Sequence, residues 1–413
     1  MKNIKFKVNL HIEPTQNIHM LENIKKRAQE LLPRLIEIRR DLHTYPELSF
    51  EEFETQKKVE NYLQNELGLK THRIANTGVV ALIEGKNPAK RVIGLRADMD
   101  ALPIVEVNDG RPYRSQHEGV MHACGHDAHT TCLLGAATIL SEMRDSFEGT
   151  VKLIFQPGEE KIPGGASLMI KDGVLDNPKV DLMIGQHVMP FLETGQVGFR
   201  KGLYMASADE IYITIKGKGG HGALPHLAVD PILIASHMIV ALQQVVSRIA
   251  RPTVPSVLTF GKITGMGATN VIPSEVKIEG TFRTLDEAWR NEAHKRMTEI
   301  AKGIVEGMGG ELDFQISRGY PFLKNDPDTT ERCIDAAQQY LGESQVKELD
   351  IWMAAEDFSY FSQAVPSVFY RLGTGNAELK TNISAHNAAF NIDEAALANG
   401  AGLMAYLVLG TRY

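Results

Sequence analysis

The segment Met121-His-Ala-Cys-Gly-His-Asp-Ala-His-Thr130 places one cysteine, three histidines and an aspartate within ten residues. Cys124, His126 and His129 offer soft and borderline ligands, and Asp127 adds a carboxylate. A thiolate with imidazoles suits zinc or a similar transition metal. The same residues admit two other readings. One is a nucleophilic Cys124 with His126 as its base, although nothing nearby supplies the orienting third member. The other is a turn capped by its His and Asp side chains.

Further groups of the same chemistry lie far away in the chain. Phe155-Gln-Pro-Gly-Glu-Glu160 sets two carboxylates after an apolar strand, where open α/β sheets place their ligands. Adjacent side chains point apart, so one of Glu159 and Glu160 can bind metal while the other reaches a water. His187 closes the run Ile184-Gly-Gln-His187, and His386 sits in the polar segment Ile383-Ser-Ala-His386. Gly94-Leu-Arg-Ala-Asp-Met-Asp-Ala-Leu-Pro103 ends an apolar strand with Asp98 and Asp100 on one side, and buried carboxylates there need partners. No one of these four segments decides anything alone. Together they bring Cys, His, Glu and Asp to the ends of successive strands. A separate cluster surrounds His221 in Lys216-Gly-Lys-Gly-Gly-His-Gly-Ala-Leu-Pro225, where glycines allow close backbone approach and no phosphate-loop pattern follows. Asn270 lies in a glycine-rich turn, and Arg283 ends a strand from which it can grip a carboxylate in bidentate fashion.

The elements that must position these groups follow from periodicity. Helical patterns cover 21–42, kinked or split by Pro33, and 51–67; residues 1–20 read as a loose extension. Strands fall at 79–84, 91–98, 151–156 and 181–187, with an apolar helix at 129–143 and a short one at 164–171. Strands alternating with helices, several of them apolar on both faces, predict an α/β sheet with helices packed on it. From 209 the order becomes strand, helix (230–248), strand (255–264), strand (274–283), helix (286–308), strand (311–317). That is the βαββαβ order of a ferredoxin-like unit. The α/β pattern then resumes, with a helix at 329–341, a strand near 367–372 and a helix at 394–409. The expectation is a first domain of residues 1–206 and 318–413 interrupted by a second at 207–317.

Composition bounds the function classes. Of 413 residues, 43% are hydrophobic and 23% charged, ordinary globular usage. A net charge of −7 excludes a general basic field for nucleic acid. Three cysteines do not make a disulfide framework. No stretch approaches 18 uncharged apolar residues, and the basic N-terminus lacks an apolar core, so the expected setting is the cytoplasm with no membrane span.

Seven ordered motifs carry a resemblance over about residues 35–410. They are Arg39–Leu48, Leu95–Pro103, Met121–His129, Gln156–Glu160, Gly219–Gly222, Asn270–Pro273 and Glu356–Phe358. The chain resembles the di-metal aminoacylase and carboxypeptidase superfamily. Within it, the likeness is to the N-acyl-amino-acid amidohydrolases, which include hippurate hydrolases, auxin-conjugate hydrolases and N-acetyl-diaminopimelate deacetylases. The resemblance implies a di-metal peptidase-type α/β catalytic domain carrying a ferredoxin-like lid that also forms a homodimer. It implies two divalent ions held by Cys124, His126, Glu160, His187 and His386. Thiolate ligation favours zinc, while relatives accept manganese, cobalt or nickel. Glu159 would be the general base toward a metal-bridged water. His221 would reach the partner subunit's site and, with the metals, stabilise the oxyanion; Asn270 or Arg283 would hold the substrate carboxylate. The wider superfamily has His-x-Asp where this chain has Asp98-Met99-Asp100, so these two aspartates are expected to orient ligands. The implied reaction is hydrolysis of an N-acyl amino acid to a carboxylic acid and a free amino acid. A carboxypeptidase or dipeptidase on the same scaffold is the alternative. A metal- or peptide-binding protein without activity is a further one, disfavoured by the intact Glu159-Glu160 pair.

Overall fold

The computed structural model describes residues 14–410. The chain is helical from Pro14 to Thr44, so the loose extension read over 1–20 does not hold for 14–20, and residues 1–13 lie outside the described part. Pro33 neither splits nor ends this helix. A proline there removes one backbone hydrogen bond. Burial of Ile24, Ala28 and Leu35 against the helices His126–Glu142 and Ala396–Gly410 outweighs that loss.

The main sheet has eight strands. In spatial order they are Thr71–Ile74, Gly78–Glu84, Thr150–Gln156, Val92–Asp98, Leu182–Glu193, Ser367–Gly375, Val197–Phe199 and Val346–Glu348. The central four, from Thr150–Gln156 to Ser367–Gly375, are mutually parallel. Their carboxyl ends therefore share one edge, the edge at which open α/β sheets bind ligands. The helices Pro14–Thr44, His126–Glu142, Pro327–Leu341 and Ala396–Gly410 cover one face; Met169, Phe358, Phe361 and Phe369 pack on the other. Because side chains alternate along a strand, register decides which of them meet. Asp98 pairs with Gln156 and Arg371 with His187. Ile93, Leu95, Ile184, Val368 and Leu372 point into the larger core. Arg96, Asp98, Gln156, His187 and Arg371 thus project from the opposite face. The short strands at 71–74, 197–199 and 346–348 escape a reading by periodicity, since three or four residues carry no period.

The inserted unit forms its own four-stranded antiparallel sheet in the order Ser256–Thr264, Glu275–Thr284, Asp209–Lys216, Glu311–Arg318. Helices Pro231–Leu242 and Glu287–Gly307 cover one face with a separate core around Ile213, Met238, Phe282 and Met297. Asp230 and Asp286 cap these helices, accepting from Ile232, Leu233 and Trp289 N–H groups. Contrary to the sequence reading, the stretch Pro231–Ile249 is long and apolar enough to cross a membrane by length and composition. It packs Ile234, Ala235, Met238 and Leu242 on the sheet and leaves Ile232, Leu233 and Val240 exposed.

Both chain crossings into this unit are held by Arg290. Its guanidinium donates to Asp209 Oδ2 at 2.9 Å and to the carbonyls of Ala208 and Gly319, both at 3.0 Å. Arg290 is 1% exposed and Asp209 fully buried, so removing the arginine leaves that carboxylate to the His294 imidazole at 2.6 Å. Arg290→Ala should cost about 3–5 kcal/mol in denaturant unfolding. A loss below about 1 kcal/mol would show that the crossing does not depend on this pair.

Candidate metal centre and active-site pocket

Cys124 is presented by a loop that ends at the helix His126–Glu142. Gly125, between Cys124 and His126, has φ +85°, and a Cβ there would meet Val188 Cγ2 at 2.5 Å. Only glycine lets the loop turn this tightly against the strand bearing His187. The His386 backbone also lies in the left-handed region, at φ +63°, and its N–H donates to the Ala123 carbonyl at 2.8 Å. That bond ties the distant C-terminal loop to the Cys124 loop. Strain of this kind in a non-glycine residue persists where surrounding structure fixes it.

Hydrogen bonds set the imidazole tautomers. His126 Nδ1 donates to the Asp100 carbonyl at 2.8 Å, and His187 Nδ1 to the Val188 carbonyl at 2.7 Å. A carbonyl only accepts, so each Nε2 is left with a free lone pair. His187 Nε2 lies 3.4 Å from Cys124 Sγ. His386 Nε2 lies 3.1 Å from Glu160 Oε1. Among the described residues, five groups of donor atoms each lie within 4.8 Å of one another, and two of them contain the thiol: Cys124, His126 and His187, and Cys124, Glu160 and His386. Cys124 belongs to both. His126 Nε2 is buried without a hydrogen-bond partner among the described residues, as expected of an atom whose partner is a cation. The donors present thus fit a pair of divalent ions sharing one thiolate.

His129 is excluded from ligation by its own bonds. Its Nε2 accepts from the Val188 N–H at 2.8 Å, so Nδ1 carries the proton and donates to Asp98 Oδ1 at 2.6 Å. Asp98 therefore acts through His129 on the backbone beside His187. Asp100 holds two of the candidate donors at once: Oδ1 lies 3.1 Å from His126 Nδ1, and Oδ2 accepts from the Glu160 N–H at 2.9 Å.

Electrostatics follow from burial and crowding. Burial, then Glu356, Glu160 and Asp357, push the Glu159 carboxyl well above the usual carboxylate range. Burial raises the Cys124 thiol as well. Contacts with Cys124 and Glu160 raise the His386 imidazole to about 10. Burial opposes ionisation of Asp98, but Arg96 and His126 hold its carboxyl far below the usual value. The site carries an excess of carboxylate that divalent cations would neutralise.

A cavity of about 380 Å³ opens beside these groups. Cys124, Glu159, Glu160, His187 and His386 line it, along with the apolar side chains of Phe191, Met205 and Trp352. His221, Asn270 and Arg283 do not line it. His221 and Asn270 stand together on exposed segments: Val271 pairs with His221, and the Gly222 N–H donates to the Asn270 carbonyl at 2.8 Å. Arg283 lies half-buried in the inserted sheet opposite Val257.

The model of peptidase family M20/M25/M40 matches residues 94–410. The chain belongs to this family. An N-acetyl-L-cysteine deacetylase of Bacillus subtilis (strain 168) is 44% identical over 365 residues, covering 88% of this chain and 85% of the relative. An N-acyl-L-amino acid amidohydrolase of Geobacillus stearothermophilus is also 44% identical, over 299 residues, 72% of this chain and 80% of the relative. Among solved structures, a Bacillus subtilis protein described as a dinuclear metal-binding peptidase of the M20 family superposes with a TM-score of 0.78. It is 35% identical and covers 92% of this chain and 98% of its own. As a member of the M20 family, the protein is a metal-dependent amidohydrolase.

Sequence reasoning left several contributors to this M20 site without a role. Arg96 donates to Gln156 and Asp357 at 2.8 Å and to Glu356 at 3.1 Å, and the Tyr320 hydroxyl donates to the Glu159 carbonyl. The signal available for Arg371 was a lone charge within an otherwise uncharged strand, and for Arg96 a charge in the middle of an apolar one ending at Asp98. Asp100→Ala should lower metal affinity about 10–100-fold in a chelator competition, because the Glu160 backbone loses its anchor and the His126 ring keeps only the Asp100 carbonyl. Unchanged affinity would remove Asp100 from the site. Because burial raises the Cys124 thiol, its neighbours raise the His386 imidazole to about 10, and both must lose protons to ligate, metal affinity should climb with pH up to about pH 10. A flat titration would contradict the ligand set.

Proposed function

We propose that the protein hydrolyses N-acyl amino acids to a carboxylic acid and a free amino acid. The observation that carries this reading is Glu159, a buried carboxylate on the pocket wall immediately beside the Glu160 ligand and unbound to any basic side chain. The names of the two relatives at 44% identity describe the same bond class. Cys124, His126 and His187 would hold one ion, and Cys124, Glu160 and His386 the other, zinc being favoured by the thiolate. When bound, the ions supply Lewis acidity toward the acyl carbonyl and acidify water.

The chain's own residues do the rest. Glu159 accepts a proton from the attacking water and passes it to the departing amine. Its raised carboxyl in the uncompensated cluster falls toward a useful range once cations neutralise the neighbouring Glu160. Phe191, Met205 and Trp352 exclude water and receive an apolar group. His221, Asn270 and Arg283 act from the inserted unit of a second copy, where His221 donates to the developing oxyanion. Exposed Ile232, Leu233 and Val240, and the outer edge of strand Ser256–Thr264, supply the face on which that copy docks. The expected setting of this homodimer is the cytoplasm.

Glu159→Gln should reduce turnover of N-acetyl amino acids by at least 10²–10⁴-fold. Metal content should remain near two ions per chain. Retained turnover would remove Glu159 from the reaction, and activity confined to dipeptides would replace the deacylase with a dipeptidase. His221→Ala should also lower turnover. Mixed dimers of this variant with Glu159→Gln should regain activity, since one of the two sites then has both residues. Absence of rescue in confirmed mixed dimers would contradict action across subunits.

A further inference from the structure

Four arginines are among the largest fully buried side chains: Arg39, Arg96, Arg290 and Arg371. Three of them sit on carboxylates, Arg39 on Asp127, Arg96 on Asp98, Glu356 and Asp357, and Arg290 on Asp209. Arg371 has no carboxylate within 4.0 Å among the described residues, so its charge is buried without a counter-ion. Its Nε donates to the Tyr204 hydroxyl at 2.9 Å, and Nη2 approaches the Met205 sulfur at 3.1 Å. Nη1 has no partner among the described residues. Glu356 feels the charge of Arg371 but is itself held by Arg96 at 3.1 Å. The rings of Trp352, Phe369 and Tyr204 lie 4.9, 5.1 and 5.7 Å from the guanidinium carbon, a cage that fixes its plane.

This guanidinium lines the catalytic cavity. Arg371 is the register partner of the ligand His187 on the adjacent parallel strand, so the two side chains leave the same face of the sheet about 5 Å apart at their origins. A buried unpaired charge is strongly unfavourable unless something else pairs with it. The cavity is where an anion can reach it, and a planar fork matches a carboxylate.

We propose that Arg371 is a specificity-determining residue that grips a carboxylate of the substrate inside the cavity. The inference rests on the hydrolase reading above. Two parts of an N-acyl amino acid can present that carboxylate a few bonds from the scissile carbonyl. One is the α-carboxylate of the amino-acid half; the other is the far carboxylate of a dicarboxylic acyl group. The chemistry read by Arg371 is the same in both. The grip comes from the same subunit as the metal ligands, whereas Arg283 lies in the inserted sheet and lines no part of this cavity.

The test uses metal-loaded wild type, Arg371→Gln and Arg371→Lys with three substrates. N-acetyl-L-methionine has its carboxylate on the amino-acid side, N-succinyl-L-methioninamide on the acyl side, and N-acetyl-L-methioninamide has none. In wild type, at least one carboxylate substrate should exceed the uncharged one in kcat/KM. Arg371→Gln should collapse that preference roughly 10–100-fold, mainly through KM, and Arg371→Lys should restore part of it. The substrate whose preference collapses names the carboxylate. If all three substrates lose equally, or if Arg371→Gln keeps the full preference, the proposal is overturned. Calorimetric binding of L-methionine and of succinate to wild type and Arg371→Gln gives a readout without turnover. If wild type cleaves none of the substrates, the hydrolase reading fails. In that case, weaker binding of either carboxylate by Arg371→Gln still supports the anion grip, and unchanged binding of both overturns it.

Discussion

Arg96 is the interaction on which the site depends. Asp98, Asp100, Glu159, Glu160, Glu356 and Asp357 converge at the carboxyl ends of the parallel strands, and nearly all are buried. So many carboxylates in a low dielectric cannot all ionise without compensation. Arg96, fully buried in the middle strand, contacts three of them and Gln156 besides. What it neutralises becomes scaffold: Asp98 then orients His129, and Asp357 caps the turn at Ala166 by accepting its N–H at 3.0 Å. Of those it does not touch, Asp100 is held by His126 and the Glu160 N–H, and Glu159 and Glu160 form the carboxylate pair that bound cations would compensate.

A second constraint is geometric. Gly125 and Gly158 permit turns that a side chain would block; a Cβ on Gly158, at φ +57°, would lie 2.3 Å from the Phe50 ring. Glu52 secures the same turn by accepting from the Gly158 N–H at 2.8 Å. Glu159 thus leaves a backbone fixed from both sides before any ligand arrives, and preorganisation of this kind is what makes a positioned base effective.

Much of this was readable in the chain. Long amphipathic helices and five- to ten-residue strands announce themselves by period, so the α/β sheet and the βαββαβ order emerged with boundaries a few residues off. Cys124, His126, Glu159, Glu160, His187 and His386 stood out as donor types, but the family resemblance rather than spacing joined them into one expected site, and the structure brings them together. The strands of three or four residues were not legible, and neither was the continuity of the first helix through Pro33. The role of Arg371 was hidden for a different reason. A buried arginine is ordinary when paired, and only the folded structure reveals whether a carboxylate stands beside it. The lid residues illustrate the converse: His221 and Asn270 are conspicuous in sequence, yet one copy of the chain leaves them outside the cavity they are expected to serve.

The central claim is that one thiolate, Cys124, is shared by two cation sites. Anomalous diffraction from crystals of the zinc-loaded protein tests it most directly. Two peaks should appear in each subunit, one among Cys124, His126 and His187 and the other among Cys124, Glu160 and His386, with Sγ within bonding distance of both. A single peak, or a second one beside Asp98 and His129 and away from Cys124, would contradict the account.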